Sequence, residues 1–591
     1  KLKRYIMNYK ALLFLCITVG IFSCKPKEKT AAVNYDNFLN EYIDSTVSPG
    51  EDFFKFAMGK WLKNNPIPES ERSWGIWTLV NEENYSRIRK INEEAAANTK
   101  AKKGSNEQKI GDFWFTGMDT VTIEKQGITP LKPELDKIAA ISDPQGVIKM
   151  ASYLHTMQVQ PLFGNYIFQD EKNSNKFRLH FYQGGIGLPD RDYYFDKDER
   201  TVTIRNEYVK HISKMFQLTG IDAATADTYA QTIMKMETDF AGASRKLADL
   251  RDPYANYNSM AVADVNKLCP AINWESFLAD AGIKNIDTII VGQPEFFKQL
   301  NTSLTKESVD NWKIYLQWNL INAYADRLSS DFDKEHFHFY GTILNGTKEQ
   351  RARWKRVLDA EEDAMGFLLG QLYVEAYYPP EEKARYEKIV ENTMAAYKVR
   401  IQQLDWMSPE TKEKALLKLS TVIKKVGYPD KWRDYSALTI TRDSYVQNAI
   451  NANKYLHAYE VEKLYKPVDK TEWEMTPQTW NAYYNPSNNE IVLPAAAFIV
   501  PGVPDKYVDD AIAYGYAAGS TIGHEITHGF DDQGSQFDEK GNLSEWWTPQ
   551  DRAQFLERTK LIVEQFNNYI IIDTIHVNGD ATQGENIADL G

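Results

Sequence analysis

Apolar positions recur at three- to five-residue steps through most of the chain between about residue 35 and about residue 430. Ile389, Met394, Tyr397, Ile401 and Leu404 put one such stripe on a single helix face. Ser408-Pro409-Glu410 reads as the N-cap and opening turn of the next helix. That helix carries Leu416, Leu417 and Leu419, and Gly427-Tyr428-Pro429 is expected to end it. Beyond about Glu460 the pattern changes. Residues 480–484 and 490–493 are short β-prone runs, and the turn-rich Asn485-Pro486-Ser487-Asn488-Asn489 between them predicts a hairpin. A helix is predicted from about residue 505 to His528, with Gly529 as its C′ glycine. Thr548-Pro549 opens another, with Asp551 at the capping-box position. The fold class is therefore mainly α with a small β element. His336 and His338 alternate in HFHFYG, and on a strand both would face one side, where they could bind a metal. No third ligand is suggested nearby, so they are read as structural histidines. There is no internal repeat.

Length changes this picture first: 591 residues exceed one compact core and imply two to four structural units. The formal net charge of -13, with no dominant basic run, argues against a nucleic-acid partner. Aromatic residues make up 13% of the chain, which suits a core rich in large side chains. Three cysteines, Cys16, Cys24 and Cys269, are too few for a disulfide framework or a cysteine zinc finger. Cys269 reads as a small buried hydrophobe.

The N-terminus has the order of an export signal. Positive charge at residues 1–4 and Lys10 precedes an uncharged apolar run over 11–22, then Ser23-Cys24-Lys25. The run is shorter than the roughly 20 residues a spanning helix needs. A small residue directly before a cysteine resembles a bacterial lipoprotein signal, which implies acylation of Cys24, a membrane anchor and a location in the cell envelope. Translation is expected to begin at Met7. The expected layout is a signal over 1–24, a polar tether over 25–34, a helical domain over 35–430, a connecting segment over 431–479 and a C-terminal domain over 480–591.

The chemistry lies in His524-Glu525-Ile526-Thr527-His528, an HExxH motif. On a helix the two histidines stand one turn apart on one face, so both imidazoles can reach one zinc ion. Glu525 stays close enough to take a proton from water. A catalytic zinc needs a third protein ligand, which can be His, Asp or Glu. In Gly584-Glu585-Asn586-Ile587-Ala588-Asp589, Glu585 and Asp589 share a helix face; one can bind the metal and the other can orient a ligand imidazole.

HEITHGFDDQG (residues 524–534), GENIADLG (584–591) and WNAYYNPSNNEIVLPAAAF (480–498) together resemble the neprilysin and endothelin-converting-enzyme family of gluzincins. SPGEDFFKFAMGKWLKNNPIP, GIGLPDRDYYF and RARWKRV extend the resemblance through the N-terminal half. It implies two mainly α-helical lobes enclosing a cavity that admits oligopeptides, with a thermolysin-like catalytic lobe. It implies His524, His528 and Glu585 as ligands of one Zn2+, Glu525 as general base and Asp589 as the partner of His524. Asn481 and Ala482 would bind the substrate backbone. The expected reaction is endopeptidase cleavage on the amino side of hydrophobic residues. Family members supply a further His and Arg after the Glu-bearing helix, so the catalytic domain is expected to continue past Gly591. The present chain is accordingly expected to be inactive, with an unsupported helix starting near Gln583. An alternative class, a surface lipoprotein binding peptides or glycans without catalysis, suits the leader and the aromatics. It gives no reason for HExxH with a downstream GExxxD.

Overall fold

The computed structural model describes residues 40–500, 503 and 507–591, so Cys24, the leader and the tether lie outside the described residues. The chain divides into two compact units, one ending at Pro66 and one running from Ile67 to Gly591. It is mostly helical, 61% helix against 8% strand, so the mainly α reading holds. In the first unit, Asp52 caps the helix Phe53–Asn64 by accepting from the Lys55 amide. Tyr42 stacks on Trp61.

The second unit holds one large apolar core, built around an aromatic cluster in which Phe181 packs 4.8 Å from Phe163 and 4.9 Å from Trp274. Cys269 is fully buried in that core, as a small hydrophobe should be. A four-stranded sheet crosses it, unforeseen by the helical reading: Gly164–Asp170, Asn173–Tyr182, Thr288–Val291 and Ser259–Ala261, in that spatial order. Its signal was present in the alternating Phe177, Leu179 and Phe181, of which Leu179 and Phe181 are buried. His336 and His338 are on no strand. His336 ends the helix Ser330–His336 and His338 lies in the π-helical stretch Phe337–Leu344. Residues two apart on a helix point to different sides. The local alternation yielded because Phe339 is fully buried in the core, stacked on His211.

The part that positions the site starts with the helix Pro380–Gln403, whose Ile389, Val390 and Ile401 are buried. Ser408 caps the following helix, Pro409–Ser420, with Pro409 in its first turn. Gly427 does not end that helix; it closes a strand, Ile423–Gly427, at φ +80°. This strand runs parallel to Glu490–Pro494, which pairs antiparallel with Tyr483–Asn485. The hairpin is therefore present, with its first strand displaced so that Trp480, Asn481 and Ala482 precede it. Tyr483–Asn485 is the edge of this three-stranded sheet.

Thr548 caps the helix Pro549–Asn567 by accepting from the Asp551 amide. Asp551 does not complete a capping box. Its carboxylate turns to the other helix start, accepting from the Ser408 amide, the Ser408 hydroxyl and Thr411 Oγ1. Burial alone would raise its pKa; these bonds outweigh it and hold the group at about 2. A depressed carboxylate stabilises the fold above the ordinary value of 3.8, and that contribution is lost as pH falls through about 2. Asp551→Ala removes an ionised acceptor shared by two helix caps, and hydrogen bonds to charged groups contribute about 1.5–3 kcal/mol each. Urea unfolding at neutral pH should show a loss of about 3 kcal/mol, with the gap between variant and parent narrowing below pH 3.

Candidate active site

The segment before the histidines is helical throughout its described part, as expected, but not regular α-helix. Its described part comprises Asp510–Ala513, the π-helical Tyr514–Ile522 and the α-helical Gly523–His528. Gly515 and Gly519 fall inside the π stretch and weaken regular α geometry there. The histidine turn is braced from outside: Tyr397 Oη donates to Gly523 O at 2.8 Å and bonds the Thr527 hydroxyl.

Gly529 does not end this helix as a left-handed C′ residue, since its φ is −62°. The chain instead continues in a right-handed turn under the Tyr484 ring, where a Cβ on Gly529 would sit 3.3 Å from ring carbons. That path returns Asp531 to the helix. Asp531 Oδ1 accepts from the amides of Gln533 and Gly534, and Oδ2 bonds His528 Nδ1 at 2.8 Å. Gly534 lies so close to His528 that a Cβ would overlap its carbonyl oxygen. Lys418 reaches in from the helix Pro409–Ser420 and donates to the carbonyls of Gly534 and Phe537, both at 2.7 Å. Burial lowers the Lys418 pKa to about 7.

The helix carrying Glu585 runs Gly579–Leu590, a turn longer than the start near Gln583 expected from sequence. Asn578 caps it by accepting from the Ala581 amide, and Gly579 passes so close to Val563 that a Cβ would meet the Val563 carbonyl at 2.4 Å. It packs against both the helix Pro549–Asn567 and the histidine helix.

These elements bring three donor atoms together. His524 Nε2 and His528 Nε2 are 3.0 Å apart, and Glu585 Oε2 lies 3.3 Å from the first and 3.7 Å from the second. A tetrahedral zinc with bonds of about 2.0–2.2 Å separates its ligands by about 3.3–3.6 Å. The outer nitrogen of each imidazole is already engaged: His524 Nδ1 bonds Asp589 Oδ1 at 2.9 Å, as His528 Nδ1 bonds Asp531. Both Nε2 atoms are therefore directed at the common point, and the donor set fits a zinc ion. The bond to Glu585 raises the His524 pKa to about 9, and the His524 bond in turn holds Glu585 below its usual range. Glu525 is 6% exposed, and burial pushes it up to about 7. The Tyr484 backbone amide also bonds it.

Two clefts meet at His524 and Glu525. One, of about 350 Å³, extends past His528, Glu585 and Tyr484; the other, of about 210 Å³, runs past Trp480, Ser520, Thr521 and Asp589. Asn481 and Ala482 line both. Among the described residues, His524, His528 and Glu585 form the one group of His, Cys, Asp and Glu side chains placed to hold a metal ion.

Residues 49–429 and 481–591 match the two models of Peptidase family M13. The chain is 31% identical over 577 residues to neprilysin-3 of Drosophila melanogaster, covering 93% of this chain and 72% of that protein. To endothelin-converting enzyme 1 of Rattus norvegicus it is 30% identical, covering 95% and 75%. The Mycobacterium tuberculosis zinc metalloprotease Zmp1, in complex with inhibitor, superposes with a TM-score of 0.89 at 37% identity, over 94% of this chain and 84% of that one. The chain belongs to peptidase family M13. It is a zinc metalloendopeptidase with the fold of these relatives.

Within this M13 peptidase the sequence reading had assigned no role to Asp531. Its signal was available: an acid three residues after the second histidine, with Gly534 following, can turn back onto the ring one helical turn away. Asp532, the next residue, forms a bidentate ion pair with Arg251, which no sequence pattern linked to the site.

Proposed function

We propose that the protein hydrolyses oligopeptides on the amino side of hydrophobic residues, with one zinc ion held by His524, His528 and Glu585 and with Glu525 as general base. The convergence of the three donor atoms beside the buried Glu525 carboxylate carries this reading. Zinc held there supplies Lewis-acid polarisation of a carbonyl and lowers the pKa of a water molecule. Glu525 accepts the water's proton and delivers it to the leaving amine, a role its burial suits because a carboxylate near neutrality both takes and returns a proton. Asp589 and Asp531 fix the tautomers of His524 and His528 and keep their Nε2 lone pairs turned inward. The open edge of Tyr483–Asn485 faces the same cleft, so an extended peptide can add as a further strand, with Asn481 and Ala482 at the point where it enters.

The decisive assay uses the intact protein against short fluorogenic peptides and against casein. Cleavage of the peptides before hydrophobic residues, abolished by a chelator and restored by zinc, is the expected result. Efficient digestion of casein with short peptides spared would overturn the substrate class.

The leader supports a second element of the proposal, a lipid anchor on Cys24 that holds the enzyme in the cell envelope. Cys24→Ser should move the protein from the membrane to the soluble fraction. An unmodified Cys24 in the mature membrane-bound protein would refute the anchor.

A further inference from the structure

Arg251 ends the short turn Ala248–Arg251, remote in sequence from every residue of the metal site. Its guanidinium lines the same cleft as His524, His528 and Glu585. Nη2 donates to both Asp532 carboxylate oxygens, at 3.0 and 2.9 Å, and Nε reaches Oδ2 at 3.3 Å. Nη1 donates to the Ala581 carbonyl at 3.2 Å. The first partner sits beside Asp531, which orients His528; the second sits one turn before Glu585, on its helix. Gln583, from that same helix, also bonds Asp532. The packing leaves no slack. A Cβ added to Gly584 would lie 2.7 Å from Arg251 Nη2, 2.9 Å from Asp532 Oδ1 and 3.0 Å from Asp531 Oδ2.

From this we infer that Arg251 is a positioning residue for the metal site, clamping the loop that orients His528 to the helix that carries Glu585. The inference rests on the zinc reading of those three donors. Two elements meet at the metal, the histidine helix with its loop and the carboxylate helix; they pack on one another, and the Arg251 bonds tie the loop of the first to the opening turn of the second. A planar guanidinium with several donors in fixed directions can hold a carboxylate with one edge and a carbonyl with another. Lysine cannot span both, because its ammonium is a single point on a flexible stem. Bonds that orient metal ligands are worth roughly 10- to 100-fold in metal affinity. Arg251 is thus the contact through which a segment far outside the HExxH region governs how tightly the third ligand is presented.

The test measures zinc affinity by competition with a chromophoric chelator, for the intact wild-type protein and for Arg251→Lys, Arg251→Met and Asp532→Asn. Circular dichroism of the metal-free proteins runs alongside. The expected result is a loss of about 10- to 100-fold in zinc affinity for each variant, with the metal-free spectra unchanged. The double variant Arg251→Met/Asp532→Asn should bind zinc no more weakly than the worse single variant, because both remove one clamp. If Arg251→Met does not fold, Arg251→Lys carries the same reading. Zinc affinity within about twofold of wild type in the folded variants, or losses that multiply in the double variant, would overturn the inference and leave the peptidase reading standing. A wild-type protein that binds no zinc would overturn both.

Discussion

Glu525→Gln should keep its zinc and lose about 100- to 10,000-fold in peptide turnover. The substitution preserves volume and can preserve the bond from the Tyr484 amide, so the fold around the buried side chain is retained. What it removes is a basic oxygen. An amide does not accept the proton of water at neutral pH and has none to return to the leaving amine. Glu525 donates no ligand atom to the cluster formed by His524, His528 and Glu585, so metal content should be untouched. The loss should therefore appear in kcat with little change in KM, since the substrate contacts proposed at Asn481, Ala482 and the edge strand do not involve this carboxylate. Metal analysis together with steady-state kinetics checks both halves. Turnover near wild type would remove Glu525 from the role of base, and a zinc-free variant would make it a ligand.

The second large effect is expected from the ligands themselves. His528→Ala and Glu585→Ala should each lose nearly all bound zinc at equilibrium with a competing chelator, and with it measurable hydrolysis. The three donor atoms lie within 4.8 Å of one another, and any two of them leave a site that water must complete. The two variants should differ in one respect. His528 also holds Asp531, so its removal frees a carboxylate that is 5% exposed and bonded to two loop amides. Glu585 is largely exposed on its helix and leaves no buried partner behind. His528→Ala should therefore lower the stability of the metal-free protein by about 1–3 kcal/mol, while Glu585→Ala, which gives up only a solvent-screened bond to His524, should cost less. Differential unfolding of the zinc-free proteins separates the two. Stoichiometric zinc in both variants would sink the ligand assignment.

Much of the site was legible in the chain alone because it is encoded by short-range geometry. One helical turn places His524 above His528, and another places Glu585 above Asp589; both follow from the helix period once each segment is helical. The caps at Ser408 and Thr548 and the turn between the hairpin strands were legible for the same reason, since side chains bond amides two or three residues away. Burial of Cys269 followed from its chemistry.

What failed depended on partners distant in sequence. The helix ends at His528 as its sequence predicts, but Gly529 caps it in a right-handed rather than a left-handed conformation, packed under the Tyr484 ring on the path that returns Asp531 to His528. Asp551 was read as closing its own helix, but Ser408 and Thr411 from another helix claim its carboxylate. The helix of Glu585 begins at Gly579 because Asn578 caps it and Val563 demands a glycine beside it. The amino-acid sequence by itself determined which residues are proposed to bind the metal and move the proton. Only the tertiary structure decided how the two helices meet, because they pack on one another and are bridged by His524 with Asp589 and by Arg251 with Asp532 and Ala581, contacts no local period specifies.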